Sequence, residues 1–216
     1  MDDTTWDLIA RERRSLADLL ESLTPDQWTA PSLCSEWSIR DVAAHLAMTP
    51  AGVPTVATLL RALAANRGRL WPAGRDVVVA YPATPDGIVA SLRRDAAART
   101  KPVFVQAGNI LPDLVIHGQD IAVPLGLDRA VPAAAGREAL RRIWAMRWPF
   151  RPSRQLAGFT VRADDCDWSA GQGPEICGSS AHLLLEMTGR SAVSDLRGPG
   201  MTALRQRTSA RTNPSV

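Results

Sequence analysis

Asp113-Leu114-Val115-Ile116-His117-Gly118-Gln119-Asp120-Ile121 puts an acid and a histidine four residues apart, with three apolar residues between them. An α-helix turns once per 3.6 residues, so positions i and i+4 project from one face. Pro112 near the start, where a missing N–H is tolerated, and Pro124 and Gly126 beyond the end predict a helix of about 108–122. Such a pair can offer two ligands of one metal from a single rigid rod, as inward-facing Glu-x-x-His motifs do in metal-binding bundles. Polar residues often fall at this spacing by chance, so the pair needs a third ligand and a scaffold in which to converge.

The upstream chain offers a candidate for each. Trp6, Ile9, Leu16, Leu19, Leu20 and Leu23 recur on a helical period between charged residues and predict an amphipathic helix over 5–22. Ser38 with Asp41 three residues on reads as a capping box opening a second helix, whose apolar side holds Ile39, Val42, Ala43, Leu46 and Ala47. His45 lies close to that side, as a third ligand or as a histidine packed against its neighbours. Residues 55–66 and 86–99 are also expected to be helical. Between them, residues 71–87 read as a long loop with an extended piece at Val77-Val78-Val79. A helix of about 135–148 closes this portion.

From Leu156 the pattern changes. Residues 156–163 and 175–178 read as strands, and Ser179 or Ser180 opens a helix carrying Leu183, Leu184, Leu185 and Met187. A last small element is expected over 193–205. The expected division is a helical bundle over 1–150 with the metal site, a small α/β domain over 151–207 and a disordered tail over 208–216.

Bulk properties narrow the function. The chain has 216 residues, 45% hydrophobic and 22% charged, with a formal charge of only +3. Its basic residues are scattered arginines apart from Lys101, with no basic block interleaved with aromatics, so no nucleic-acid partner is expected. No apolar run reaches membrane-spanning length and the N-terminus is polar, so neither a membrane nor a signal peptide is expected. Three separated cysteines, Cys34, Cys166 and Cys177, show no C-x-x-C pattern and fit a reduced, cytoplasmic protein. Cys34 reads as a loop or core residue.

Two motifs carry a resemblance. Ser35-Glu36-Trp37-Ser38-Ile39-Arg40-Asp41-Val42-Ala43-Ala44-His45-Leu46 resembles the W-[ST]-[VI]-R-D-[VL]-x-x-H-L signature of the mycothiol-dependent maleylpyruvate isomerase family. His117-Gly118-Gln119-Asp120-Ile121-Ala122-Val123-Pro124-Leu125-Gly126 resembles its H-G-x-D-I-x-x-P-L-G signature, and the run from Trp168 to Arg190 is similar to its C-terminal domain. The resemblance implies an α+β fold: a DinB-like four-helix bundle followed by a small α/β C-terminal domain. It implies a divalent metal, usually Zn²⁺, on His45, Asp113 and His117, and mycothiol as the thiol cofactor. The family has glutamate where this chain has Asp113, one methylene shorter. In the family the metal presents the cofactor sulfur as thiolate, which adds to a double bond; rotation and elimination follow.

The expected activity is therefore isomerisation or sulfur transfer on a small electrophilic substrate, by a monomer or weak homodimer. A non-catalytic small-ligand-binding protein on the same bundle is the alternative. Asp120 and Arg190 are the candidate catalytic residues. Asp120 either orients a ligand histidine or forms a salt bridge, for instance with Arg40. Arg190 either binds a substrate carboxylate or answers the charge of a helix C-terminus. Trp37 and Trp168 are candidate pocket walls, and His182 has no acid or histidine at helical spacing.

Overall fold

Four helices surround one core in the first part of the chain. Asp2 accepts a hydrogen bond from Thr5 N and starts α1 (Asp3–Glu21), which buries Ile9, Leu16 and Leu20 completely. Ser38 and Asp41 close a reciprocal capping box on α3 (Ile39–Met48). Thr84 caps α6 (Pro85–Arg94), and α7 (Ile110–Ala122) follows a single 3₁₀ turn. α1 packs against α6 and α7, and α3 packs against the same two, which gives a closed four-helix arrangement. The computed structural model describes residues 2–52, 55–102, 105–190 and 195–212.

Between α1 and α3 lies the short α2 (Pro25–Thr29), and between α3 and α6 a helical pair, α4 (Val56–Ala65) and α5 (Leu70–Val79). The expected loop over 71–87 is thus largely helix. Pro72 sits in the first turn of α5, where its missing N–H breaks no bond. Ala73, Val77 and Val78 fall on one buried face, and α5 packs on α3 and α4. Burial of that face outweighs the weak helix propensity of three consecutive valines. α6 ends at Arg94 rather than 99.

Buried charges brace the first unit. Arg13, 1% exposed, donates from one terminal nitrogen to the carbonyls of Asp95, Ala96 and Ala98, just beyond α6. Burial draws its guanidinium down to about 10, against the attraction of Asp95. Arg129 donates to Glu12 and Ser15 on α1. Its side chain also crosses α7 at Gly118, where a Cβ would stand 2.6 Å from the Arg129 Nε. Glycine beside His117 therefore gives room for the arginine, at roughly 1 kcal/mol of helix propensity.

The chain divides into compact units at Arg129/Ala130, not near residue 150. The reason is that α8 (Ala133–Trp144) packs on α10 (Ser180–Met187). The second unit also holds α9 (Pro152–Gln155) and a three-stranded sheet of β1 (Thr160–Ala163), β2 (Ser169–Gly171) and β3 (Glu175–Gly178). The order is β2-β1-β3, with β2 antiparallel and β3 parallel to β1. Ser179 caps α10 as the sequence suggests.

The expected tail does not begin at 208, because α11 (Met201–Thr212) is helical throughout. Leu204 is buried, Arg207 donates to the carbonyls of Gln155 and Ala157, and its guanidinium lies 4.6 Å from the Phe159 ring centre. The end of the expected tail, 213–216, lies outside the described residues, as does 191–194.

Candidate metal centre

α7 is enclosed on every side but one. Of its thirteen residues, all are buried except Asp113 and His117. These are the acid and histidine at i and i+4, so the helix opens to the exterior only along the face that carries them. His45, four residues into the apolar run of α3, faces that opening. Its Nε2 lies 3.2 Å from Asp113 Oδ2, and His117 Nε2 lies 3.4 Å from Asp113 Oδ1. One ligand atom from each of the three residues lies within 4.8 Å of the others.

The donor set suits a divalent metal. Two imidazole nitrogens and a carboxylate are the ligands Zn²⁺ takes at open, three-ligand sites. Metal–ligand bonds of roughly 2.0–2.2 Å at tetrahedral angles imply donor separations of about 3.3–3.6 Å, and each histidine nitrogen lies at a comparable distance from a different oxygen of Asp113. The shorter side chain of Asp113 spans both imidazoles. The two histidine rings stand nearly perpendicular, 5.2 Å between centres. Trp37 stacks on His117 at 6.4 Å and lies 5.4 Å from His45, walling one side.

The protonation states follow from these neighbours. Desolvation by the crowded site would raise the Asp113 carboxyl although it is partly exposed, but the His45 and His117 imidazoles override this and hold it below its ordinary 3.8. Desolvation would likewise lower His117, but the charge of Asp113, with hydrogen bonds from the ring to Asp113, Asp120 and Cys34, holds it well above 6.5. In the metal-free protein the His117 contribution to stability is therefore complete below pH 6.5 and lost as pH rises through the higher folded value. The Asp113 contribution is present above pH 3.8 and lost as pH falls through the lower folded value. The metal-free pair thus stabilises most between these ordinary values, and metal must displace a proton from His117 to bind.

Asp120 is completely buried and its Oδ2 lies 2.8 Å from His117 Nδ1. Arg40 turns elsewhere: it pairs with Asp41 and donates to the carbonyls of Val78, Tyr81 and Ala83, tying α3 to the α5–α6 connection. Arg190 belongs to the second unit, where its guanidinium donates to Thr188 O at the end of α10. Trp168 is also there, edge-on to Trp144 at 5.8 Å, and His182 Nδ1 meets Ser179 Oγ at 3.1 Å.

The sequence gives no sign of one neighbour. Cys34, in the connection between α2 and α3, places its Sγ 3.1 Å from Asp120 Oδ2 and 3.5 Å from His117 Nδ1. It is 83 and 86 residues away in the chain, so no local spacing reveals it. None of the three cysteines is joined in a disulfide. Burial, then Asp165, pushes the Cys166 thiol up to about 11. Iodoacetamide should accordingly alkylate Cys166 slowly at neutral pH, with a rate that climbs until about pH 11, when followed by peptide mass spectrometry.

Residues 9–103 match the family described as mycothiol maleylpyruvate isomerase N-terminal domain. That segment contains His45 and ends before Asp113. A search of curated protein sequences gives no significant match. Two solved structures are similar to this chain: the mycothiol-dependent maleylpyruvate isomerase and a histidine-to-alanine mutant of it. Each has 17% identity, covers 90% of this chain and 91% of its own, and superposes with a TM-score of 0.53. The likeness reaches across both units of the chain and establishes the fold. Residues 9–103 thus resemble the mycothiol maleylpyruvate isomerase N-terminal-domain family, and most of the chain shares the fold of the two isomerase structures.

Proposed function

We propose that the chain is a divalent-metal enzyme that uses a low-molecular-weight thiol, mycothiol, for isomerisation or sulfur transfer on a small electrophilic substrate. The observation that carries this reading is that α7 leaves only Asp113 and His117 uncovered, and His45 faces both. Zinc held there would favour the thiolate form of a bound thiol, the nucleophile that both reactions need. His45 and His117 would each give Nε2, and Asp113 a carboxylate oxygen. Asp120 accepts the His117 Nδ1 proton and so leaves Nε2 free to bind metal. Trp37 walls the imidazoles and keeps water from that side.

The two reactions differ in the fate of the thiol. Isomerisation returns it unchanged, whereas transfer consumes one thiol per product, so counting free thiol during turnover separates them.

Cobalt substitution tests the reading. Adding mycothiol to the Co²⁺ protein should produce a thiolate-to-cobalt charge-transfer band, and His45→Ala should show none. An unchanged spectrum in the wild type would remove mycothiol as the cofactor. A band with no turnover of electrophilic unsaturated acids would favour the ligand-binding alternative.

A further inference from the structure

Cys34 lies outside the three-ligand set, yet it touches the pair that orients one ligand. Its thiol reaches Asp120 Oδ2, the same oxygen that lies against His117 Nδ1, so sulfur, carboxylate and imidazole form a closed triangle of 3.1, 2.8 and 3.5 Å. The segment carrying it is fixed twice. Leu33 N donates to Asp120 O at 3.1 Å, so the backbone is docked on α7 directly. The Ser32 hydroxyl accepts from Cys34 N, and Trp37 N donates to Cys34 O, which closes a tight turn. That turn holds Glu36 at φ 67°, a left-handed conformation that costs a non-glycine residue about 1 kcal/mol or more.

We propose that Cys34 is a positioning residue for the metal centre. Its thiol donates to Asp120 Oδ2 and stands beside His117 Nδ1, and so holds the carboxylate where it keeps His117 Nε2 turned toward His45 and Asp113. This rests on the reading of His117 as a metal ligand, but the geometry it concerns belongs to the protein alone. Partners that orient a ligand histidine from its far nitrogen typically change metal affinity by about 10–100-fold when removed. The thiol acts on the same ring one step further out, through the carboxylate.

The test compares the wild type with Cys34→Ala and Cys34→Ser. Histidine-ring ¹⁵N–¹H NMR is recorded at one fixed pH on the metal-free proteins, and Zn²⁺ affinity is measured by chelator competition. The chain has only three histidines, and His182 in the second unit serves as the internal control. In Cys34→Ala the His117 Nδ1–H resonance should move upfield and exchange faster with water, with His182 unchanged, and Zn²⁺ should bind about tenfold more weakly. Serine keeps an O–H donor and should restore both.

An unchanged His117 resonance in Cys34→Ala would overturn the proposal, and so would a serine variant that behaves like alanine, because filling space is then all the thiol does. With saturating Co²⁺ and no added thiol, a charge-transfer band lost in Cys34→Ala would make the cysteine a ligand and also overturn it. If the wild type binds no metal but the resonance shift and serine rescue hold, the metal reading fails and the positioning role stands.

Discussion

Replacing His117 with alanine should lower Zn²⁺ affinity by on the order of 10²–10³-fold. Four-ligand zinc sites contribute roughly 10–16 kcal/mol, about 3–4 per ligand, and each 1.4 kcal/mol is about a tenfold change. His45→Ala should cause a similar loss and is the cleaner variant, because it leaves the 2.8 Å contact between His117 and Asp120 in place. His117→Ala deprives that carboxylate of the imidazole at 2.8 Å, so it should also lose stability. Zinc binding by either wild-type or variant protein should weaken as pH falls, since metal and proton compete for the ligands. In the wild type proton release should persist above pH 6.5, where the raised His117 value keeps the ring protonated. Competition titrations at two pH values check both statements; affinity independent of pH would contradict the assignment of His117.

The largest effect on stability is expected from Arg13→Ala. One terminal nitrogen of Arg13 serves three backbone carbonyls at the end of α6, at 3.2, 3.0 and 2.8 Å. A buried carbonyl stripped of its donor, as at Ala96, costs about 1–3 kcal/mol, and the missing side chain leaves a cavity between α1 and α6. A loss of about 3 kcal/mol or more should result, which lowers the urea midpoint by at least roughly 1 M at ordinary denaturant slopes. Far-ultraviolet circular dichroism during urea unfolding reads it. A change within about 0.5 kcal/mol would place this arginine among ordinary surface positions.

Much of the bundle was legible because its signals are local. The capping box of Ser38 and Asp41, the apolar period of α1 and the prolines around α7 each act within one or two helical turns. His45, Asp113 and His117 were nominated by spacing and by family resemblance, and the fold puts their ligand atoms together. α5 was missed because Val77-Val78-Val79 favours extended structure locally and is overruled by packing on α3 and α4. The division at Arg129/Ala130 was displaced because α8 has no local feature that tells which neighbour it packs on. Arg207 anchors α11 through carbonyls fifty residues away, so the polar tail looked structureless. Cys34 failed for the same reason: its partners come from α7, and a lone cysteine in a turn offers no period to read.

His45, Asp113 and His117 together are expected to hold one divalent metal ion. Elemental analysis of protein purified without chelators, beside His45→Ala and His117→Ala, tests it most directly. About one zinc or similar divalent ion per wild-type chain, absent from both variants, is the expected result. Wild-type protein that carries no stoichiometric metal and takes up none from added Zn²⁺, or variants that retain it in full, would contradict the account.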